Sequence, residues 1–148
     1  MISLKVDLTE ATKNLDLFAK HVNAYVIRRG AQSAAQLFYD EARRLAPVAD
    51  RGHVFYGRNQ KYFFPAGTLK ASIYQVFSKD RSTDGIATYQ ISWNHKKAPY
   101  GFMVEYGTSR APAHPFMRPA WDRMKDRVGE AARGRMADIL QSGQAGLL

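Results

Sequence analysis

APYGFMVEYGTSRAPAHPFMRPA, residues 98–120, decides how the chain folds. It gathers bulky aromatics, one acid (Glu105), the pair Gly107-Thr108 and, beyond Pro99, the prolines Pro112, Pro115 and Pro119. Immediately beyond it, Met117, Trp121, Met124, Val128, Ala132, Met136 and Ile139 recur at steps of three and four, so one face of a helix is apolar. Arg118, Arg123, Arg127, Glu130, Arg133 and Arg135 fall on its other faces. Pro115 and Pro119 suit the first turn of that helix, where a missing N–H costs little. Upstream, Tyr100, Phe102, Val104 and Tyr106 alternate, a pattern that fits either a third strand or a helical turn. Glu105 has no second carboxylate beside it and is read as a structural acid. It would accept hydrogen bonds from the loop that follows or pair with an arginine of the closing helix.

Working back toward the amino terminus, residues 87–93 form the clearest strand. Ala87, Tyr89, Ile91 and Trp93 face one way, and Thr88, Gln90 and Ser92 the other. Residues 69–77 lead into another strand through Ile73, Tyr74, Val76 and Phe77. A polar connector ending in Asp84-Gly85 joins the two, so an antiparallel hairpin is predicted. Residues 48–66 hold no period and read as a long loop. A long helix precedes Pro47, which must end it. Its stripes are Leu15, Phe18, Ala19, Val22 and Val26, then Ala31, Ala34, Ala35, Phe38, Ala42 and Leu45, with Gly30 expected to weaken or bend it between them. Asp7 or Thr9 are candidate caps, and the alternation of Ile2, Leu4, Val6 and Leu8 reads as a strand. The expectation is one α+β domain over residues 1–140, with a loop insertion at 48–66 and a loose tail at 141–148. A long amino-terminal helix, a small antiparallel β-sheet and an amphipathic carboxy-terminal helix packed on that sheet would compose it.

The composition narrows the function. Hydrophobic residues at 45% and charged residues at 24% of 148 are ordinary for a globular domain. With no cysteine, neither disulfides nor thiolate metal sites are available. No apolar run approaches the length of a membrane span, and no secretory leader is evident at the amino terminus, so no membrane contact is expected. The net charge of +9 attracts polyanions and acidic surfaces, yet the cations are scattered along the chain. His21, His53, His95 and His114 stand apart, and no nucleophile, base and orienting acid fall together. His21 reads as a surface residue and His114 as a capping or packing one. Asp50 with His53 is the sharpest chemical alternative, a metal-dependent nuclease, but two ligands make a thin site. No catalytic residue, cofactor or metal is therefore assigned.

The segment RGHVFYGRNQKYFF, residues 51–64, interleaves cations with five aromatics. Arg51, Phe55, Tyr56, Arg58, Lys61, Tyr62 and Phe63 are the candidate partner interface, since Tyr, Phe and Arg anchor protein contacts. The same mixture would serve single-stranded nucleic acid through stacking and phosphate neutralisation. Folding back over the domain's own core is the third reading.

In order and spacing, several motifs together resemble the tail-completion, or neck, protein family of long-tailed bacteriophages, whose members include minor tail components. They are the helix ending in Ala46-Pro47, the GTLKASI segment at 67–73, Pro99-Tyr100 through Val104-Glu105-Tyr106-Gly107-Thr108, and Pro115-Phe116-Met117-Arg118-Pro119-Ala120. The resemblance runs from the first helix to about Val128 and makes Tyr100, Glu105, Gly107, Thr108, Pro115, Phe116 and Pro119 structural motif positions. It departs at residues 48–66, where the family has a shorter link. It implies a non-enzymatic virion protein, built in the host cytoplasm and placed at the head–tail junction. Its implied partners are copies of itself in a ring, tail-terminator or tail-tube proteins and head–tail connector proteins, with possible contact to genomic DNA. Head closure and tail termination are neighbouring roles that the residues do not separate.

Overall fold

The computed structural model describes residues 9–56 and 59–143. Helix α1 (Thr9–Leu45) is followed by strands β1 (His53–Tyr56) and β2 (Lys61–Phe64), then by the short helix α2 (Thr68–Ser72) and strand β3 (Ile73–Phe77). A 3-10 turn at Lys79–Arg81 leads to β4 (Tyr89–Trp93), α3 (Gly101–Tyr106) and α4 (Met117–Gln141). The architecture is α+β, as the periodicities predict, with two small antiparallel sheets in place of one.

β3 and β4 pair antiparallel with Ile73 opposite Trp93 and Phe77 opposite Tyr89. That register puts Tyr89, Ile91 and Trp93 on the face toward α1. The connector closes on itself at Asp84-Gly85, where Thr83 and Ile86 exchange backbone hydrogen bonds of 2.8 and 3.1 Å. Gln75 donates to Gln36 of α1, and the Arg28 guanidinium lies 4.2 Å over the Phe77 ring, so the helix is fixed to the sheet at two heights.

α4 runs antiparallel to α1 and packs on it along most of its length, reaching the strands at its amino-terminal end, where the Phe116 ring meets Trp93 at 5.8 Å. Gly30 has a different role from the expected bend, since α1 is continuous through it. A Cβ there would stand 2.6 Å from the Met136 side chain and 3.1 Å from the Ala132 carbonyl. The bare backbone is what lets the two helices cross closely. The core gathers Ala46, Leu69, Ile73, Trp93, Ala98 and Phe116, all buried.

Other segments also depart from expectation. Residues 48–66 are not loop throughout, because β1 and β2 pair as a hairpin within them. Aromatics occupy both faces of these four-residue strands, which hides the alternation that marks a half-buried strand. Gly101–Tyr106 form helix α3, the helical one of the two alternatives left open for this segment. Trp121 is 49% exposed, resting edge-on against Phe38 at 5.8 Å, because α4 lies on α1 and this turn reaches only the helix's flank. Pro119 lies in the first turn of α4, while Pro115 precedes it. The expected strand at residues 2–8 and most of the tail lie outside the described residues. Of that tail, Gln141 still belongs to α4. No helix among the described residues is long and apolar enough to cross a membrane.

Phe116→Ala should lower stability by about 3–5 kcal/mol, since its ring is fully buried. Trp121→Ala should cost only about 1–2 kcal/mol, and denaturant melts of both variants check the order. Glu41 joins the two helices by accepting from Arg44 and, at 3.2 Å, from Arg123. Those guanidiniums, Arg44 foremost, hold its carboxyl at about 2 rather than 4.5, against the upward push of burial. A carboxyl lowered in the folded state stabilises fully above pH 4.5 and loses that contribution as pH falls toward about 2. Wild type should therefore lose more stability than Glu41→Gln across that window in melts taken at each pH.

Candidate partner interface

Glu105 sets the geometry of the site. It is a buried residue of α3, and its carboxylate faces the start of α4. The Phe116 N–H donates to Oε2 at 2.7 Å, the Met117 N–H to Oε2 at 3.0 Å and the Arg118 N–H to Oε1 at 3.1 Å. These are among the amides that a helix cannot pair within itself. A negative group also sits well at the positive end of the helix dipole. Phe116, the residue before the helix, offers no capping side chain of its own, so Glu105 caps α4 from eleven residues upstream. Of the two partners expected from sequence, the following backbone is the one it takes.

The loop between α3 and α4 is shaped to allow this. Gly107 ends α3 at φ 76°, a left-handed conformation that favours glycine, and donates its N–H to the Met103 carbonyl at 2.8 Å. A Cβ on Gly107 would lie 2.8 Å from the Ala113 nitrogen, because the returning loop crosses there. Thr108 Oγ1 accepts from the Arg110 and Ala111 amides, tightening the turn. The His114 N–H donates to the Val104 carbonyl at 2.7 Å and lashes the loop back onto α3. The His114 residue itself is exposed, so only its backbone is shown to hold the loop.

Tyr100, the residue before α3, carries the second half of the joint. Its ring meets His53 edge-on at 4.8 Å and Phe64 at 5.1 Å, while His53 and Phe64 face each other across β1 and β2 at 5.6 Å. Burial pushes the Tyr100 phenol up, against hydrogen bonds from the Leu69 backbone and the Thr68 side chain. An isolated two-stranded hairpin is marginal in water, so this three-ring seat matters to it. Beside the seat lies a cavity of about 410 Å³, lined mainly by apolar residues such as Val48, Pro65, Leu69 and Val104, with His53 and His114 also present.

Beyond its seat the hairpin carries the predicted interface residues. The register places Val54 opposite Phe63 and Tyr56 opposite Lys61 on one face, with Phe55 opposite Tyr62 on the other. Tyr56 is 71% and Phe63 66% exposed, and Lys61 Nζ lies 5.4 Å over the Tyr56 ring. Arg51 is exposed just before β1, and Arg58 lies outside the described residues. The structure therefore brings Tyr56, Lys61 and Phe63 together on one surface and leaves Arg51 apart from them in sequence, at the hairpin's base. The sequence reading missed the exposed face of α3, where Phe102 and Tyr106 stack at 4.6 Å and Arg118 reaches over Tyr106. Their spacing of four residues was the available signal, readable only if the segment is helical.

Asp50 is exposed, and the His53 ring is packed between Phe64 and Tyr100. No group of three or more His, Cys, Asp or Glu able to hold a metal occurs among the described residues. No family model matches the chain, and no characterised protein or solved structure is significantly similar to it.

Glu105→Ala should cost about 2–3 kcal/mol, because it strands three amides at a buried helix start. Glu105→Gln, which keeps the shape and one acceptor oxygen, should cost about 1 kcal/mol. A negligible loss from Glu105→Gln in thermal melts would show that the charge contributes nothing, and a loss equal to that of Glu105→Ala that the shape and remaining acceptor do not.

Proposed function

We propose that this chain is a structural component of a bacteriophage neck, acting at the head–tail junction so that a completed tail can join a filled head. The observation that carries the reading is the aromatic hairpin, seated on the α3–α4 joint by His53, Phe64 and Tyr100, with Tyr56, Lys61 and Phe63 turned outward. Apolar and cationic anchors held on a projecting element suit docking to another protein. The motif order described above supports the particular role, and Glu105, Gly107, Thr108 and Phe116 all serve the joint. In this reading the chain acts without turnover as a virion protein, made in the host cytoplasm. It sits in a ring of its own copies against tail-tube or tail-terminator proteins on one side and connector proteins on the other. Head closure and tail termination are the nearest alternative roles.

One observation favours a second reading. Lys61 beside the exposed rings of Tyr56 and Phe63 also makes a platform on which bases could stack. Affinity for single-stranded DNA that falls steeply with salt would support it, and negligible binding at low salt would remove it.

Tyr56→Ser with Phe63→Ser should leave the melting temperature unchanged, since both rings are exposed, yet prevent heads from joining tails. Mass spectrometry of purified particles should find the wild-type chain at a fixed copy number. Its absence from particles, or normal particle yield from the double variant, would contradict the reading.

A further inference from the structure

We infer that the amino-terminal arm of α1 is a self-docking element, with Leu15 and Phe18 of one copy packing into an apolar notch between α1, α4 and β4 of the next. This deepens the neck reading, on which the closed ring rests, by naming the surfaces that join neighbours.

The arm follows from the lengths of the two helices. Met136 packs on Gly30 and Arg123 reaches Glu41, so α4 descends along α1 and ends at Gln141 soon after passing Gly30. α1 continues beyond it, and every residue from 9 to 21 is exposed. At 1.5 Å per residue the arm projects roughly 20 Å. Its apolar stripe extends the seam that α1 presents to α4: Val26 is buried, Val22 half-buried, and Phe18 and Leu15 remain 54% and 65% exposed. A helix of this length is marginal in water without a partner on its apolar face.

The notch is the matching surface. It is a cavity of about 230 Å³ lined by Ala34 and the buried Ala35, with Phe38, Tyr89, Ile91, Trp121 and Val128, and no charged side chain lines it. The half-exposed Trp121 forms its rim, which gives that residue a use the core does not. Its size suits the insertion of an aromatic side chain.

Charge selects the occupant. Within residues 9–22, Glu10 and Asp16 balance Lys13 and Lys20, whereas the whole chain carries +9. A neutral arm gives a polyanion nothing to bind, and it lets a strongly basic second copy approach without net repulsion. Knob and notch are different surfaces, so the contact is heterologous and can close into a ring. A copy cannot fill its own notch, because Phe18 and Ala34 lie roughly 24 Å apart along one helix.

The absence of cysteine provides the test. Two full-length chains, one with Ala19→Cys, which keeps Leu15 and Phe18, and the other with Ala34→Cys, are mixed at high concentration and treated with a short bismaleimide cross-linker. The mixture should yield covalent dimers several-fold above either chain alone, and adding Leu15→Glu to the first chain should abolish them while its circular dichroism stays native. No excess of dimers in the mixture would overturn the inference, as would equal dimerisation of the Ala19→Cys chain by itself, which would mean arms pairing with arms. Either result leaves the neck role to be judged by particle composition. Absence from particles removes that role without touching a positive cross-link.

Discussion

The hydrogen bonds from the first amides of α4 to the Glu105 carboxylate are the constraint on which the arrangement turns. They join a short helix to the longest element packed against α1, across a loop that would otherwise leave their relative orientation open. With α3 fixed, Tyr100 at its head is fixed too, and with Tyr100 the seat of His53 and Phe64. The position of the hairpin thus depends on an acid that touches none of it. The same clamp sets Phe116 against Trp93 and ties the joint into the core.

That dependence explains why the segment holds so many special residues. Gly107 is needed because α3 must stop and the chain must return within van der Waals distance of it. Thr108 holds the turn, and the backbone of His114 holds the returning strand of loop. Glu105, a buried acid, has its oxygens occupied by amides, which leaves it poorly placed for proton transfer. The polar groups of the joint hold shape, while the hairpin exposes Val54, Phe55, Tyr56, Tyr62 and Phe63 and the arm exposes Leu15, Leu17 and Phe18. This division is what a building block in an assembly requires.

Much of the fold was legible from periodicity, and the exceptions have physical causes. The stripes of α4 and of α1 from Val26 onward, and the alternation of Tyr89, Ile91 and Trp93, each face a packed neighbour, so the pattern survives in the sequence. The hairpin was hidden because Phe55 and Tyr62 on one face and Val54 and Phe63 on the other are all apolar. Residues 100–106 alternate like a strand, but Gly107 closes a helical turn there and the Val104 carbonyl is taken by His114. The interface residues were legible as a composition; their division between two faces was not, since it follows from register. The long reach of Glu105 to α4 was foreseen as a possibility because a lone acid ahead of a helix has few other uses. The overhang of α1 could not be read, since it depends on where α4 stops against it.

The most direct measurement of the central claim is amide hydrogen exchange at Phe116, Met117 and Arg118, followed by NMR in wild type and Glu105→Ala. The account predicts slow exchange at all three in the native chain and selective loss of that protection in the variant, with the β3–β4 amides unchanged. Exchange at these three amides as fast in the native chain as in the variant would contradict it.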